Sequence, residues 1–176
     1  MARVSKLLLM NITLAYLAVS LAIDNALAQQ RLVFKVGAEN TKYTQQHTID
    51  VGDVSGHQVR LFEIHRTYSS NAPVINGMKI VESWTRGISD YSSNNGEGTT
   101  YAVYVLENGD KFFTRAALIA VQPPGATNLT ATTVGNITGG TGKFARISGR
   151  VRTLTLANPQ AGTNETQVDI EYWLAQ

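Results

Sequence analysis

Gly135-Asn136-Ile137-Thr138-Gly139-Gly140-Thr141-Gly142-Lys143-Phe144-Ala145-Arg146-Ile147-Ser148-Gly149 sets five glycines among β-forming residues. The stretch reads as a strand, a tight turn and a second strand. Glycine there supplies positive φ or lets neighbouring chains approach closely, which a β-branched residue does only with strain.

Outward from this landmark the dominant apolar period is two, and no apolar stripe of period 3.6 reaches helical length. Strands are expected at 31–36, 56–68, 77–88, 99–106, 111–121, 129–137, 145–156 and 167–174. Turn chemistry separates them at Ser69-Ser70-Asn71-Ala72-Pro73, Ser92-Ser93-Asn94-Asn95-Gly96, Asn108-Gly109-Asp110, Pro123-Pro124-Gly125 and Asn158-Pro159. Asn108-Gly109 between alternating apolar runs is the clearest hairpin. The expected fold class is all-β: an eight-stranded antiparallel β-barrel, whose closure removes exposed strand edges. A two-sheet sandwich is the competing architecture. Residues 37–54 are polar and weakly periodic, and read as a long loop over one barrel mouth.

The first residues are built differently. Arg3 and Lys6 precede an apolar run from Leu7 to Ile23, and Ala26-Leu27-Ala28 offers a small-x-small cleavage site. This is the pattern of a secretory signal peptide over 1–28. The run falls short of the ~20 apolar residues of a membrane-spanning helix. The expected mature chain, 29–176, is a single domain in a secreted or periplasmic location, with no membrane association after cleavage. It contains no cysteine, so neither a disulfide framework nor a thiolate nucleophile is available. The net charge of +2 is no electrostatic footprint for nucleic acid. Asn128, Asn136 and Asn164 each open an Asn-x-Thr acceptor for a glycan in a eukaryotic secretory pathway.

The run Gly139-Gly140-Thr141-Gly142-Lys143-Phe144 with Gly149 resembles the C-terminal signature of the allene oxide cyclase-like and dirigent-like barrels. Tyr101-Ala102-Val103-Tyr104-Val105, with Glu107-Asn108-Gly109-Asp110-Lys111-Phe112, is similar to the strand pair that precedes it in such proteins. The resemblance spans roughly residues 99–174. It implies an eight-stranded calycin-like barrel, commonly dimeric or trimeric, with a cavity open at one end. Its members steer or catalyse cyclisation and coupling of small, largely apolar molecules without cofactors. No catalytic residue carries over, because the matching motif lies in the structural part.

A site must therefore be read from strand faces. In the third strand Ile80, Glu82, Trp84, Arg86 and Ile88 share one face, against Lys79, Val81, Ser83, Thr85 and Gly87. The first set has the larger apolar bulk and is expected to face inward. It would bring a Glu82–Arg86 pair into a mostly apolar cavity, where an unpaired charge is costly and Glu82 could move a proton. An ordinary surface ion pair with Trp84 at a subunit contact is the alternative. In the second strand Glu63 and His65 share a face with Val59 and Leu61, opposite Arg60, Phe62, Ile64 and Arg66. Neither face wins, and Glu63 with His65 forms a second acid–base candidate. His47, His57 and His65 show no tight metal spacing, so no metal is expected.

The fifth strand is apolar on both faces, which calls for a second covering layer supplied by a homo-oligomer, dimer or trimer. Arg115 on it lies either in the cavity as a ligand anchor or at a subunit boundary. Tyr104 is a further candidate ligand contact. Arg146, Arg150 and Arg152 read as a solvated stripe meeting Asp169 and Glu171, and Val168, Ile170, Tyr172 and Leu174 read as core. Three functions remain open at this point. The chain is an exported barrel holding a small apolar or aromatic molecule as a cofactor-free cyclase or isomerase, a non-catalytic binding or coupling-directing module, or a structural surface protein.

Overall fold

The computed structural model describes residues 29–68 and 71–175. The expected signal peptide and Ser69-Ser70 of the first turn lie outside the described residues. Ten strands follow one another: β1 (Gln30–Val36), β2 (Thr41–Asp50), β3 (His57–Thr67), β4 (Val74–Ile75), β5 (Met78–Ser92), β6 (Asn95–Leu106), β7 (Lys111–Val121), β8 (Leu129–Gly140), β9 (Ile147–Asn158) and β10 (Thr163–Leu174). Every pairing is antiparallel, in the order β1-β10-β9-β8-β7-β6-β5-β3-β2, and β4 pairs only with β5.

The sheet is curled and barrel-like. Its end strands β1 and β2 follow each other in the chain through a single 3-10 turn, Ala38–Asn40, but share no backbone ladder. Side chains bridge the gap between opposite walls: the Asn164 amide on β10 donates to the Tyr43 hydroxyl on β2 at 3.2 Å.

Two expectations are corrected here. The eight expected strands all form, but β2 and β4 join them. Residues 37–54 are not a mouth loop, since most of them make β2, which pairs with β3 from Thr41↔Arg66 to Asp50↔Gln58. β2 is a terminal strand whose last six residues are all exposed, so it lacks the alternation that marks a half-buried strand.

The core is concentrated at one end. Ile75, Ile80, Leu106, Phe112, Phe144 and Ile170 are almost completely buried there. They come from β4, the start of β5, the end of β6, the start of β7, the second half of β10 and the β8–β9 connection. Tyr104 and Phe112 stack at 4.5 Å between ring centroids, and Phe144 lies 6.4 Å from Phe112. Burying each such side chain is worth roughly 1.5–3 kcal/mol.

The glycine-rich landmark is the closure of this end. β8 runs into a 3-10 turn, Gly142–Phe144, which drops Phe144 into the core before β9 begins. Gly142 sits at φ 52°, and a Cβ on it would collide with the Asp110 carboxylate, which instead accepts the Lys143 amide at 3.1 Å. Gly149, at φ 155°, leaves no room for a Cβ beside the Glu171 carbonyl and the Tyr172 Cα across the ladder.

Candidate functional site

Above the packed floor the interior is open. A cavity of about 200 Å³ extends from Tyr104 and Val168 towards the opposite end, where Tyr91, Asn94, Asn158 and Thr163 surround it. A single water needs only ~15 Å³ on the same footing, so the space suits a small organic molecule. The residues that leave it open are small. Thr85, Ala102, Thr114, Ala116, Ala131 and Thr133 line the cavity where bulkier side chains would fill a barrel of this size.

The third-strand expectation is reversed by a β-bulge. The β5–β6 register shifts between Ile80 and Glu82, so that Ile80 faces Leu106 while Glu82 faces Val105. Two residues of β5 oppose one step of β6, and every side chain beyond the bulge changes face. Ile80 is inside, but Ser83, Gly87 and Ser89 follow it inward. Glu82, Trp84, Arg86 and Ile88 are thereby turned to the outer surface.

β3 resolves in the same sense. Phe62, Ile64 and Arg66 are buried, and Glu63 and His65 point outward. Glu63, His65, Glu82, Trp84 and Arg86 do come together, but on the outside. The Arg86 guanidinium donates to Glu63 at 2.7 Å, and the Thr44 hydroxyl donates to the same carboxylate at 2.7 Å. That hydroxyl and then the Arg86 charge hold the Glu63 carboxyl below its ordinary pKa. His65 Nε2 lies 2.8 Å from Glu82 Oε2, and the His65 ring stacks on Trp84 at 4.0 Å. The hydrogen bond from His65 lowers the Glu82 pKa in turn. With Val103, Val105 and Lys111 these residues surround a shallow outer hollow.

Arg115 is also exposed, its guanidinium 5.7 Å from the Tyr101 ring centre on the outer face of β6. Among the expected site residues Tyr104 lines the cavity. Burial raises the pKa of its phenol, as it does for Tyr68, and Tyr91 is pushed up to about 12 by the same cause. Tyr68, Tyr91 and Tyr104 are therefore neutral at physiological pH.

The residue that face-reading left unassigned is Arg66. It is 7% exposed, at mid-height of the cavity wall. Its Nη1 donates to Thr85 Oγ1, and its Nη2 to Asn164 Oδ1 and Thr166 Oγ1, each at 3.2 Å. A web of neutral groups continues from there. Thr155 and Thr166 hydroxyls lie 2.9 Å apart, Thr133 and Thr153 2.8 Å, and Tyr68 and Ser83 2.9 Å. Arg60 stands nearer the rim, donating to the Gln46 side-chain oxygen at 3.2 Å with its guanidinium 5.1 Å from the Phe62 ring centre. Among the described residues no aspartate, glutamate or histidine lines the cavity.

Asn164, buried at 4% exposure and bonded to Tyr43 and Arg66, is no glycan acceptor once the chain has folded, whereas Asn128 and Asn136 are exposed. The arginine stripe is exposed as read, but only Arg152 meets an acid of the last strand, 3.6 Å from Glu171, and Asp169 pairs elsewhere. Arg31 of β1 takes Asp169 at 2.8 Å.

Comparison with solved structures finds likenesses in fold. The solved structure of a pterocarpan synthase dirigent protein superposes with a TM-score of 0.50 at 14% identity, over 85% of this chain and 90% of that one. The chain thus has a dirigent-like fold, the architecture that the glycine-rich signature pointed to. No family model matches the sequence. No curated protein matches it either.

Proposed function

We propose that this protein is an exported, dirigent-like binding protein that holds a small, largely apolar or aromatic molecule inside its curled sheet and positions it without a cofactor. The observation that carries this reading is the cavity itself: an interior left open by small side chains above a solid floor, with tyrosines, threonines, Arg60 and Arg66 offering hydrogen bonds along a partly apolar wall. A cyclase working through Glu82, Glu63 or His65 draws no support from this geometry, because all three lie on the outer face. Secretion or periplasmic residence rests on the leader-like composition of residues 1–28.

The protein acts as a homo-oligomer in this reading. Ile119 and Val121 on β7, Val134 on β8, and Leu154 and Leu156 on β9 are each more than half exposed on the outer face of three consecutive strands. Thr130 and Thr132 of β8 lie between the β7 and β9 residues, so the face is apolar with a threonine row through it. Such a face suits a protein contact, and a second copy of the chain is the occupant that the resemblance implies.

The test is a titration with 3-phenylpropionamide followed by methyl and indole NMR. Saturable binding that moves the Ala116, Thr114 and Thr133 methyl signals and leaves the Trp84 indole in place is the expected result. Movement of Trp84 with an unchanged interior would place the ligand on the outer hollow and overturn the proposal.

A further inference from the structure

Arg66 carries a charge that the protein does not neutralise. Its three hydrogen bonds go to two hydroxyls and one amide oxygen, all uncharged. Each is 3.2 Å long, where a guanidinium meeting a carboxylate closes to about 2.7–2.9 Å. A guanidinium has five N–H donors, so two remain, and the buried Nε is one without a partner. The ion pairs of the molecule all lie elsewhere among the described residues, on Arg31, His57, His65, Arg86 and Arg152. Burying a cation without a counter-charge is costly, and a fold normally avoids it or supplies an acid. Here acids are available close by and point the other way: Glu63 on β3 and Glu82 on β5, next to Ser83 that pairs with Arg66, both face outward. The cavity is left positive, with Arg60 near its rim and Arg66 in its wall.

We propose that Arg66 is the anchor for an acidic head group, so that the cavity takes a molecule with an apolar body and one carboxylate or comparable oxyanion. The inference rests on the cavity-binding reading above and names its ligand class. The body lies against Tyr104, Ala102, Ala116 and Leu118, while the head group accepts from the remaining Nη1 N–H of Arg66 and completes the charge pairing that the chain omits. Arg66 otherwise serves as a stitch between β3 and β10. As a stitch alone, however, Arg66 would bury its charge with only neutral partners in return.

The test compares 3-phenylpropionate with its neutral isostere 3-phenylpropionamide by calorimetry on the full chain at neutral pH. Hydrogen bonds to a charged partner are worth roughly ten- to a hundred-fold in affinity, so the acid is expected to bind at least about ten-fold more tightly than the amide. Arg66→Gln and Arg66→Met should bring the two affinities within about two-fold while amide binding persists, and Arg60→Gln should leave most of the preference in place. Should the Arg66 variants fail to fold, a wild-type measurement decides. With ¹³C-carboxyl-labelled 3-phenylpropionate, the bound acid should titrate below its value free in water. Equal binding of acid and amide, a preference that survives Arg66→Gln, or an unshifted or raised titration of the bound acid each overturns the anchor and leaves the binding protein standing. Binding of neither molecule overturns both.

Discussion

Filling the cavity should stabilise the protein, and the sign of that effect discriminates an open interior from a packed one. Ala102 on β6 is the instructive position. It faces inward between Thr85 of β5 and Thr114 of β7, its partners in register, and all three line the cavity. Ala102→Leu adds three carbons. At ~0.8 kcal/mol per buried carbon the gain is about 2.4 kcal/mol, and ordering the leucine side chain costs ~0.5–1 kcal/mol, for a net stabilisation of about 1.5–2 kcal/mol. In a urea titration with a slope of ~1–3 kcal/mol per molar, the midpoint should rise by roughly 1 M with the slope unchanged. Leucine forced into a site already filled instead costs ~1–3 kcal/mol. The same variant should lose most of its affinity for 3-phenylpropionamide, since the added side chain occupies the ligand's place. A variant that is less stable than wild type and binds the amide equally well would refute the open cavity and the location of the site together.

Three other outcomes follow from the geometry. Both ring nitrogens of His57 lie 2.6 Å from carboxylate oxygens, of Asp53 and of Asp90, and these hydrogen bonds raise its pKa above 6.5, the bond to Asp90 contributing most. The same ring lowers the Asp53 pKa below 3.8. The His57 contribution is therefore full below pH 6.5 and lost as pH rises through the folded-state value, while the Asp53 contribution is present above 3.8 and fades as pH falls; an NMR titration of His57 with a midpoint at or below 6.5 would contradict this, and Asp90→Asn should lower the midpoint. Gly149→Ala places a Cβ against the Glu171 carbonyl at φ 155° and should cost on the order of 3 kcal/mol in a denaturant titration. Gly109→Ala, at φ 86° with nothing within 4 Å, should cost only about 1 kcal/mol. Leu154→Lys with Ile119→Lys should convert a dimer or trimer to a monomer in sedimentation, and a wild-type monomer at micromolar concentration would remove the oligomer proposal.

Architecture was more legible in the sequence than the site, and the reason is physical. The strands that bury one face announce themselves by alternation, as β10 does with Val168, Ile170 and Tyr172 inside. β2 buries almost nothing and so leaves no period to read. The choice of inward face on β5 rested on apolar bulk, and that rule fails twice here. A bulge has no mark in a single strand, because it exists only relative to the partner; the extra residue at Val81 becomes visible from the β6 register alone. A barrel that keeps a cavity also places its small residues inside. Trp84 finds its packing on the outer face against the His65 ring, while Ser83, Gly87 and Ser89 occupy the interior, with the Phe62 ring lying over Gly87. Arg66 escaped notice for a related reason: a charged residue on an undecided strand reads as surface until burial is known.

The landmark and the cavity occupy opposite ends of the same sheet, and this division accounts for what each stretch of sequence can report. The turn at Gly142 seats Phe144 on Phe112 and Tyr104, concentrating aromatic burial in the floor. Stability gathered there lets the upper half forgo packing, so that Thr85, Ala102 and Thr133 can stay small and Arg66 can remain unpaired. The floor residues Ile75, Phe112 and Phe144 thus specify the fold away from the cavity, whereas Tyr104 and Val168 serve both the core and the cavity wall. A glycine signature at the floor therefore identifies the architecture and is silent about chemistry. The chemistry is to be sought among the small and cationic residues of the wall, where substitution should move affinity and stability in opposite directions.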